Sequence, residues 1–153
     1  MKIELLNGSA GNEKVLKAFE KESDAVSGHY KRCCKLKENT KVFLLIVEDD
    51  IVGFFAITIQ MPKNPPSLEF WVAPEYIYIK EAHRGNAYSM YLLMESCDEI
   101  EKYLLENMVE GKYRLILRAD IISLEGQKII NMFGHMMQSI TNKHGLEYIN
   151  ISV

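Results

Sequence analysis

The sequence is short of several features, and each shortage excludes a class of function. Basic residues are not in excess: 18 Lys and Arg stand against 21 Asp and Glu, for a net charge of −3. A broad nucleic-acid surface has the opposite balance, so nucleic acid is not an expected partner. The one local basic cluster, Lys31, Arg32, Lys35 and Lys37, reads as the solvated face of a helix. Only three cysteines occur, two of them adjacent (Cys33 and Cys34), and no Cys-x-x-Cys pair exists. The four histidines, His29, His83, His135 and His144, lack metal-ligand spacing, so neither a disulfide framework nor a zinc site is expected, and the thiols read as buried or inert. No apolar run reaches the roughly 18–20 residues that a membrane span needs. Met1–Leu6 lacks the basic start and apolar run of a secretory signal, so the expectation is a cytoplasmic protein with no membrane partner.

What is present fits one domain over 1–153, with 48% hydrophobic residues for a single core. Met1 to Leu6 predicts a short strand, stopped by Asn7-Gly8-Ser9-Ala10-Gly11. Asn12 caps an expected helix through Lys21, with Val15, Leu16 and Phe19 on its inner face, and a second helix runs from Ser23 or Asp24 to about Leu36. Lys41–Glu48 and Ile51–Gln60 read as two strands joined by a tight Asp49-Asp50 turn, a strong hairpin signal. Pro62-Lys-Asn-Pro-Pro-Ser67 is a loop, because its three prolines remove donors and fix φ. Leu68–Val72 is short and extended, and Pro74 precedes a further strand.

Asn86 to about Val109 predicts a helix with Met90, Leu93, Met94, Cys97, Leu104 and Met108 near one stripe. Glu110-Gly111 ends it. Tyr113–Arg118 is a strand, and Glu125–His144 a second long helix carrying Ile129, Ile130, Met132, Phe133, Met136, Met137 and Ile140. Gly145 is placed to end that helix in a left-handed cap, and Glu147–Val153 closes the chain as a strand. Early antiparallel pairing followed by helical crossovers implies an α/β (α+β) fold: a mixed, mostly antiparallel sheet of about six to seven strands flanked by about four helices.

One segment carries chemistry. The strand Glu75-Tyr-Ile-Tyr-Ile79 runs into Lys80-Glu-Ala-His-Arg84-Gly85-Asn86-Ala87-Tyr88-Ser89, and a helix follows. Small residues let a ligand approach the backbone, successive N–H groups converge, and the positive helix end sits behind them, which together suit a phosphate. Arg84 adds a charge that can grip phosphate bidentately. The plainer reading is an Arg-Gly loop before an amphipathic helix.

Here the chain resembles the GNAT superfamily of acyl-CoA-dependent N-acyltransferases. That family's signature is Arg or Gln, two residues, Gly, one residue, then Gly or Ala, between its fourth strand and third helix. Arg84 matches the first position, while Ala87 and Ser89 stand where the family has small or glycine residues. The resemblance implies that acetyl-CoA is the cofactor, lying between the strand at 75–80 and the strand at 113–118. It implies that the main chain near Tyr78 and Ile79 pairs with the pantetheine arm. The N–H groups of Gly85, Asn86, Ala87, Tyr88 and Ser89, with Arg84, would then hold the pyrophosphate.

It further implies direct transfer of an acetyl group to a primary amine, on a small molecule or on a protein or peptide. Glu75 is the first candidate for general base and Glu69 the second; either could instead be a solvated strand-end carboxylate. The family's usual acid, a tyrosine on the last helix, is missing: two registers place Thr141 or Gln138 there. His135 and Tyr148 are possible substitutes that read more simply as structural. Phe70, Trp71 and the proline loop could line an acceptor pocket or merely pack. The competing expectation is a non-catalytic GNAT-like binding or regulatory protein. A homodimer could form by strand pairing or a helix face, but no residue pattern selects one.

Overall fold

The computed structural model describes residues 1–7, 14–15, 17–19, 39–60, 68–108, 113–121 and 123–153. The expected helix from Ser23 or Asp24, the basic cluster from Lys31, the Cys33-Cys34 pair and the proline loop all lie outside the described residues. Six strands form one sheet: β1 (Lys2–Asn7), β2 (Thr40–Val47), β3 (Asp50–Gln60), β4 (Glu69–Ile79), β5 (Arg114–Leu117) and β6 (Glu147–Asn150), neighbours in that order. Two long helices, α1 (Tyr88–Asn107) and α2 (Leu124–His144), accompany them. Residues 14–15 and 17–19 are also helical. By contacts the chain divides into two compact units, Met1–Thr58 with Pro74–Glu95, and Ile59–Ala73 with Ser96–Val153.

In the first unit β1, β2 and β3 are antiparallel neighbours. Val47 pairs with Asp50, so the hairpin turn is Glu48-Asp49 and not Asp49-Asp50 as the sequence suggests. Both turn residues have positive φ, 50° and 67°. A two-residue hairpin needs this left-handed pair to match the right-handed twist of its strands, and that sets the register one residue earlier. The ladder then slips between Leu45 and Ile46, leaving Val52 as the extra residue of a bulge on β3. The Val52 carbonyl accepts from Lys80 N–H at 2.8 Å. The start of β3 thus meets the end of β4, and the two run antiparallel.

The core of this unit is aromatic. Phe19 lies 5.2 Å from Phe54 and 5.5 Å from Tyr78, ring centre to centre, and Phe54 lies 5.5 Å from Tyr76. Val15, Val42, Leu44 and Ala56 are buried with them. Such ring pairs add about 0.5–1.5 kcal/mol each beyond the area they bury.

The second unit is built on parallel pairs. β5 pairs with Glu69–Val72 of β4 on one side and with β6 on the other. Helix α2 packs against β5 and β6, burying Ile130, Phe133, Gly134, Met137 and Thr141. Ser123 caps its start by accepting from Gly126 N–H at 2.9 Å, and Gly145 ends it at φ 70°, as expected of a left-handed cap. Glu101 on α1 meets His144 at 2.9 Å and Lys143 at 3.2 Å at the end of α2. The His144 hydrogen bond, ahead of the Lys143 contact, holds the Glu101 carboxyl below its ordinary value. Cys97 is buried 3.6 Å from the Met136 sulfur, and desolvation pushes its thiol up to about 12. An inert thiol is the result at neutral pH. Among the described residues no helix is long and apolar enough to cross a membrane.

Further expectations are corrected. β4 is one eleven-residue strand running through Pro74, not an extended piece and a separate strand. Its pairing with β5 ends at Val72, so on that side the missing proline N–H falls beyond the last ladder position. Helix α1 starts at Tyr88, not Asn86, because Ala87 is left-handed at φ 57°. On that helix Leu93, Cys97 and Leu104 of the expected stripe are buried, joined by Leu92, Ser96 and Ile100, but Met94 is 51% exposed. Met132 is likewise exposed on α2.

Gly53 is where β3 and β4 come closest. A Cβ there would stand 2.8 Å from the Tyr78 carbonyl oxygen and 3.1 Å from Ile79 Cγ1. Gly53→Ala should therefore destabilise the protein by about 1–3 kcal/mol, as overpacking does, read as a lower urea midpoint with unchanged slope. An unchanged midpoint would show that the end of β4 yields freely.

Candidate functional site

The site is built from the end of β4 and the chain that follows it. After Ile79 the backbone makes one 3₁₀ turn, Glu81–His83. Lys80, His83 and Arg84 donate their N–H groups to Val52, Lys80 and Glu81 carbonyls respectively. Then the pattern stops. Gly85 takes φ 83° and Ala87 φ 57°, and none of the N–H groups from Gly85 through Met90 donates a hydrogen bond among the described residues. The next donor is Tyr91, to the Ala87 carbonyl at 3.3 Å, which closes the first turn of α1.

Six consecutive amides are therefore free at a helix start. The first four helical N–H groups always lack an intrahelical partner; the left-handed residues before them extend the run. No acidic side chain occupies the first turn of α1, so the positive helix end is uncompensated locally. Arg84, Gly85, Asn86 and Ala87 are exposed, and Tyr88 and Ser89 half-buried. Unpaired donors, positive dipole and exposure make a seat for an anion with several oxygens, and a diphosphate fits that requirement.

Two side chains brace the turn. Asn86 Nδ2 donates to the His83 carbonyl at 3.4 Å. Arg84 Nε donates to the Ile79 carbonyl at 2.8 Å, and its Cζ lies 5.5 Å from the centre of the Tyr78 ring. The guanidinium makes no ion pair among the described residues. Lys80 places its ammonium 5.6 Å from the Phe19 ring centre, so two cations flank the turn.

The residues named from sequence fall into different positions. Arg84 and residues 85–89 are together in the turn, and the amide of Met90 joins them; its membership depends on where the first helical bond closes. Tyr78 is only 5% exposed, its ring turned into the aromatic core. Its neighbour Ile79 has its carbonyl engaged by Arg84. Glu75 is the seventh residue of β4, not the first, and is exposed; its carboxylate has no partner among the described residues. Glu69 is held, accepting from Trp71 Nε1 at 3.3 Å and facing Arg114 at 3.5 Å. Phe70 is fully buried against Tyr113, whereas Trp71 is half-buried.

The candidates for an acid are also placed. Thr141 is buried and donates its hydroxyl to the Gln138 carbonyl at 2.9 Å. Gln138 and His135 are exposed. The Tyr148 hydroxyl is buried with no hydrogen-bond partner among the described residues. It packs where a Cβ on Gly134 would be 3.1 Å away, and burial pushes its pKa up. Among the described residues no cluster of His, Cys, Asp and Glu could hold a metal.

The left-handed Ala87 is a strained point, since an L-residue pays roughly 1–2 kcal/mol there. Glycine removes that cost but adds about 0.4–1 kcal/mol of unfolded-state entropy. Ala87→Gly should raise stability by up to about 1 kcal/mol, measured by chemical unfolding. Clear destabilisation would contradict the left-handed geometry.

No protein-family model matches the sequence, nor does any curated protein. The likeness is to solved structures. A ribosomal-protein-alanine N-acetyltransferase from Brucella melitensis biovar Abortus 2308 aligns over 86% of this chain and 88% of its own, at 17% identity and TM-score 0.54. An aminoglycoside acetyltransferase from an uncultured soil metagenomic sample aligns over 88% and 89%, at 15% identity and TM-score 0.53. AAC(6')-Iy, solved with a CoA-containing bisubstrate analogue, aligns over 88% and 90%, at 13% identity and TM-score 0.51. With the strand order and the free amides after β4, this likeness identifies the chain's fold as that of the GNAT acetyltransferases.

Proposed function

We propose that this protein is an acyl-CoA-dependent N-acyltransferase that moves an acetyl group from acetyl-CoA to a primary amine by direct transfer. The observation that carries the reading is the run of free amides from Gly85 to Met90 beside Arg84. The fold supports it, because solved proteins of similar fold include one holding a CoA bisubstrate analogue. In this reading the amides and Arg84 take the diphosphate of CoA. The backbone of β4 near Tyr78 and Ile79 guides the pantetheine arm.

Acetyl-CoA supplies the activated thioester. The chain's part is to bind it, orient it and remove a proton from the acceptor amine. Glu75 is proposed as the base: it is exposed on β4, on the same alternation as Ile77 and Ile79, and carries no competing partner among the described residues. Glu69 is already committed to Trp71 and Arg114. No side chain of α2 is assigned as acid. Thr141 is spent on Gln138, and a thiolate leaves unaided near or above neutral pH, given thiol pKa values of about 8.5. The acceptor class is a primary amine of a small molecule or of a protein or peptide.

The bare α2 also supports a second reading, a non-catalytic protein that binds CoA on the same scaffold. Calorimetry separates binding from chemistry. Wild type should bind CoA, and Arg84→Glu should weaken binding more than about tenfold, since a charge-assisted bond becomes a repulsion. No heat at high micromolar CoA would overturn the whole reading. Glu75→Gln should leave CoA affinity unchanged and slow acetyl transfer by about 10²–10⁴-fold, followed by mass spectrometry over a panel of amines. Binding without transfer across the panel would favour the non-catalytic reading, and full activity in the variant would place the base elsewhere.

A further inference from the structure

We infer that Tyr78 is a positioning residue for anion binding: its ring and the Ile79 carbonyl preset the Arg84 guanidinium before any ligand arrives. The inference rests on the reading of this turn as a CoA diphosphate seat. An arginine on an exposed turn ordinarily loses much rotamer freedom when it grips an anion, and that loss weakens binding. Arg84 is not loose in this way. Its Nε is committed to the Ile79 carbonyl at 2.8 Å, while its two Nη groups make no hydrogen bond among the described residues. Those two coplanar donors match a pair of phosphate oxygens.

The platform beneath the guanidinium is itself fixed. Tyr78 is 5% exposed, edge-on to Phe19 at 5.5 Å and stacked with Tyr76 at 6.5 Å with only 6° between planes. The same ring that packs in the core carries the Arg84 Cζ over it, 5.5 Å from its centre. That distance is within cation–π range. Tyr78 was expected to serve the cofactor through its main chain; the geometry gives its side chain a second task, acting through Arg84 without touching the ligand.

The test is a double-mutant cycle read as the CoA dissociation constant by calorimetry, with wild type, Tyr78→Phe, Tyr78→Leu, Arg84→Ala and the Tyr78→Leu/Arg84→Ala pair. Tyr78→Phe keeps the ring and should bind as wild type. Tyr78→Leu should weaken CoA about two- to fivefold, the size of an exposed cation–π contact. In the Arg84→Ala background the same change should add nothing, and pantetheine, which lacks the diphosphate, should show no difference. Equal weakening in both backgrounds, or none in either, overturns the inference while leaving the site reading intact. Should Tyr78→Leu fail to fold, Arg84→Lys leaves the core untouched. Lysine cannot donate to Ile79 and hold a phosphate with a coplanar pair, so affinity should fall close to that of Arg84→Ala; wild-type affinity overturns the inference. If wild type fails to bind CoA, the parent reading falls first. The same cycle with inorganic pyrophosphate then decides the inference, which falls with it if pyrophosphate also fails to bind.

Discussion

The way β4 ends governs the rest of the site. At Tyr78 the strand commits a large ring to the core of Phe19, Phe54 and Tyr76; at Ile79 it commits its carbonyl to Arg84; at Lys80 it hands its last N–H to the bulge at Val52. These three anchors fix the point from which the chain turns. Everything after it, the 3₁₀ turn, the two left-handed residues and the unpaired amides, is cantilevered from them. Buried amides left unpaired would cost about 1–3 kcal/mol each. The run from Gly85 to Ala87 escapes that cost by staying exposed to water. Such donors can exchange water for phosphate oxygens with little rearrangement, which is the physical content of a preorganised anion seat.

Gly53 and the bulge beside it belong to the same constraint. Without a side chain at 53 the β3 backbone closes on the Tyr78 carbonyl, and without the extra residue at 52 the Lys80 N–H would face a different register. A glycine and a one-residue slip in β3 therefore set the position of the Arg84–Ala87 turn some thirty residues later in the chain. This link between hairpin geometry and site geometry runs wholly within the first compact unit.

Much of this was legible in the sequence. The apolar runs of β2 and β3, the helical run after Ala87 and the left-handed end at Gly145 follow from local rules, and each stands as expected to within about two residues. The Arg84–Ser89 turn was legible because small residues, an arginine and a strand-to-helix switch coincide there. What was not legible depends on neighbours. Pro74 could continue β4 because the ladder to β5 stops at Val72, which no local pattern reveals. Ala87 gave no hint of a positive φ, since alanine favours helix. Met94 of α1 misled because Met tolerates exposed and buried positions alike, while Ser96, which no hydrophobic pattern marks, shares the buried face with Leu93, Cys97 and Leu104. Glu75 was placed at a strand start only because Pro74 was read as a break. The burial of Phe70 and the engagement of Thr141 were likewise set by tertiary packing.

The central claim is that the backbone of residues 85–90, and not a cluster of side chains, receives the cofactor's diphosphate. Amide chemical shifts read that directly. In a ¹⁵N-labelled sample titrated with CoA, the N–H resonances of Gly85, Asn86, Ala87, Tyr88, Ser89 and Met90 should move downfield together and saturate with one dissociation constant. If CoA binds while these six resonances stay in place, the account is wrong at its root.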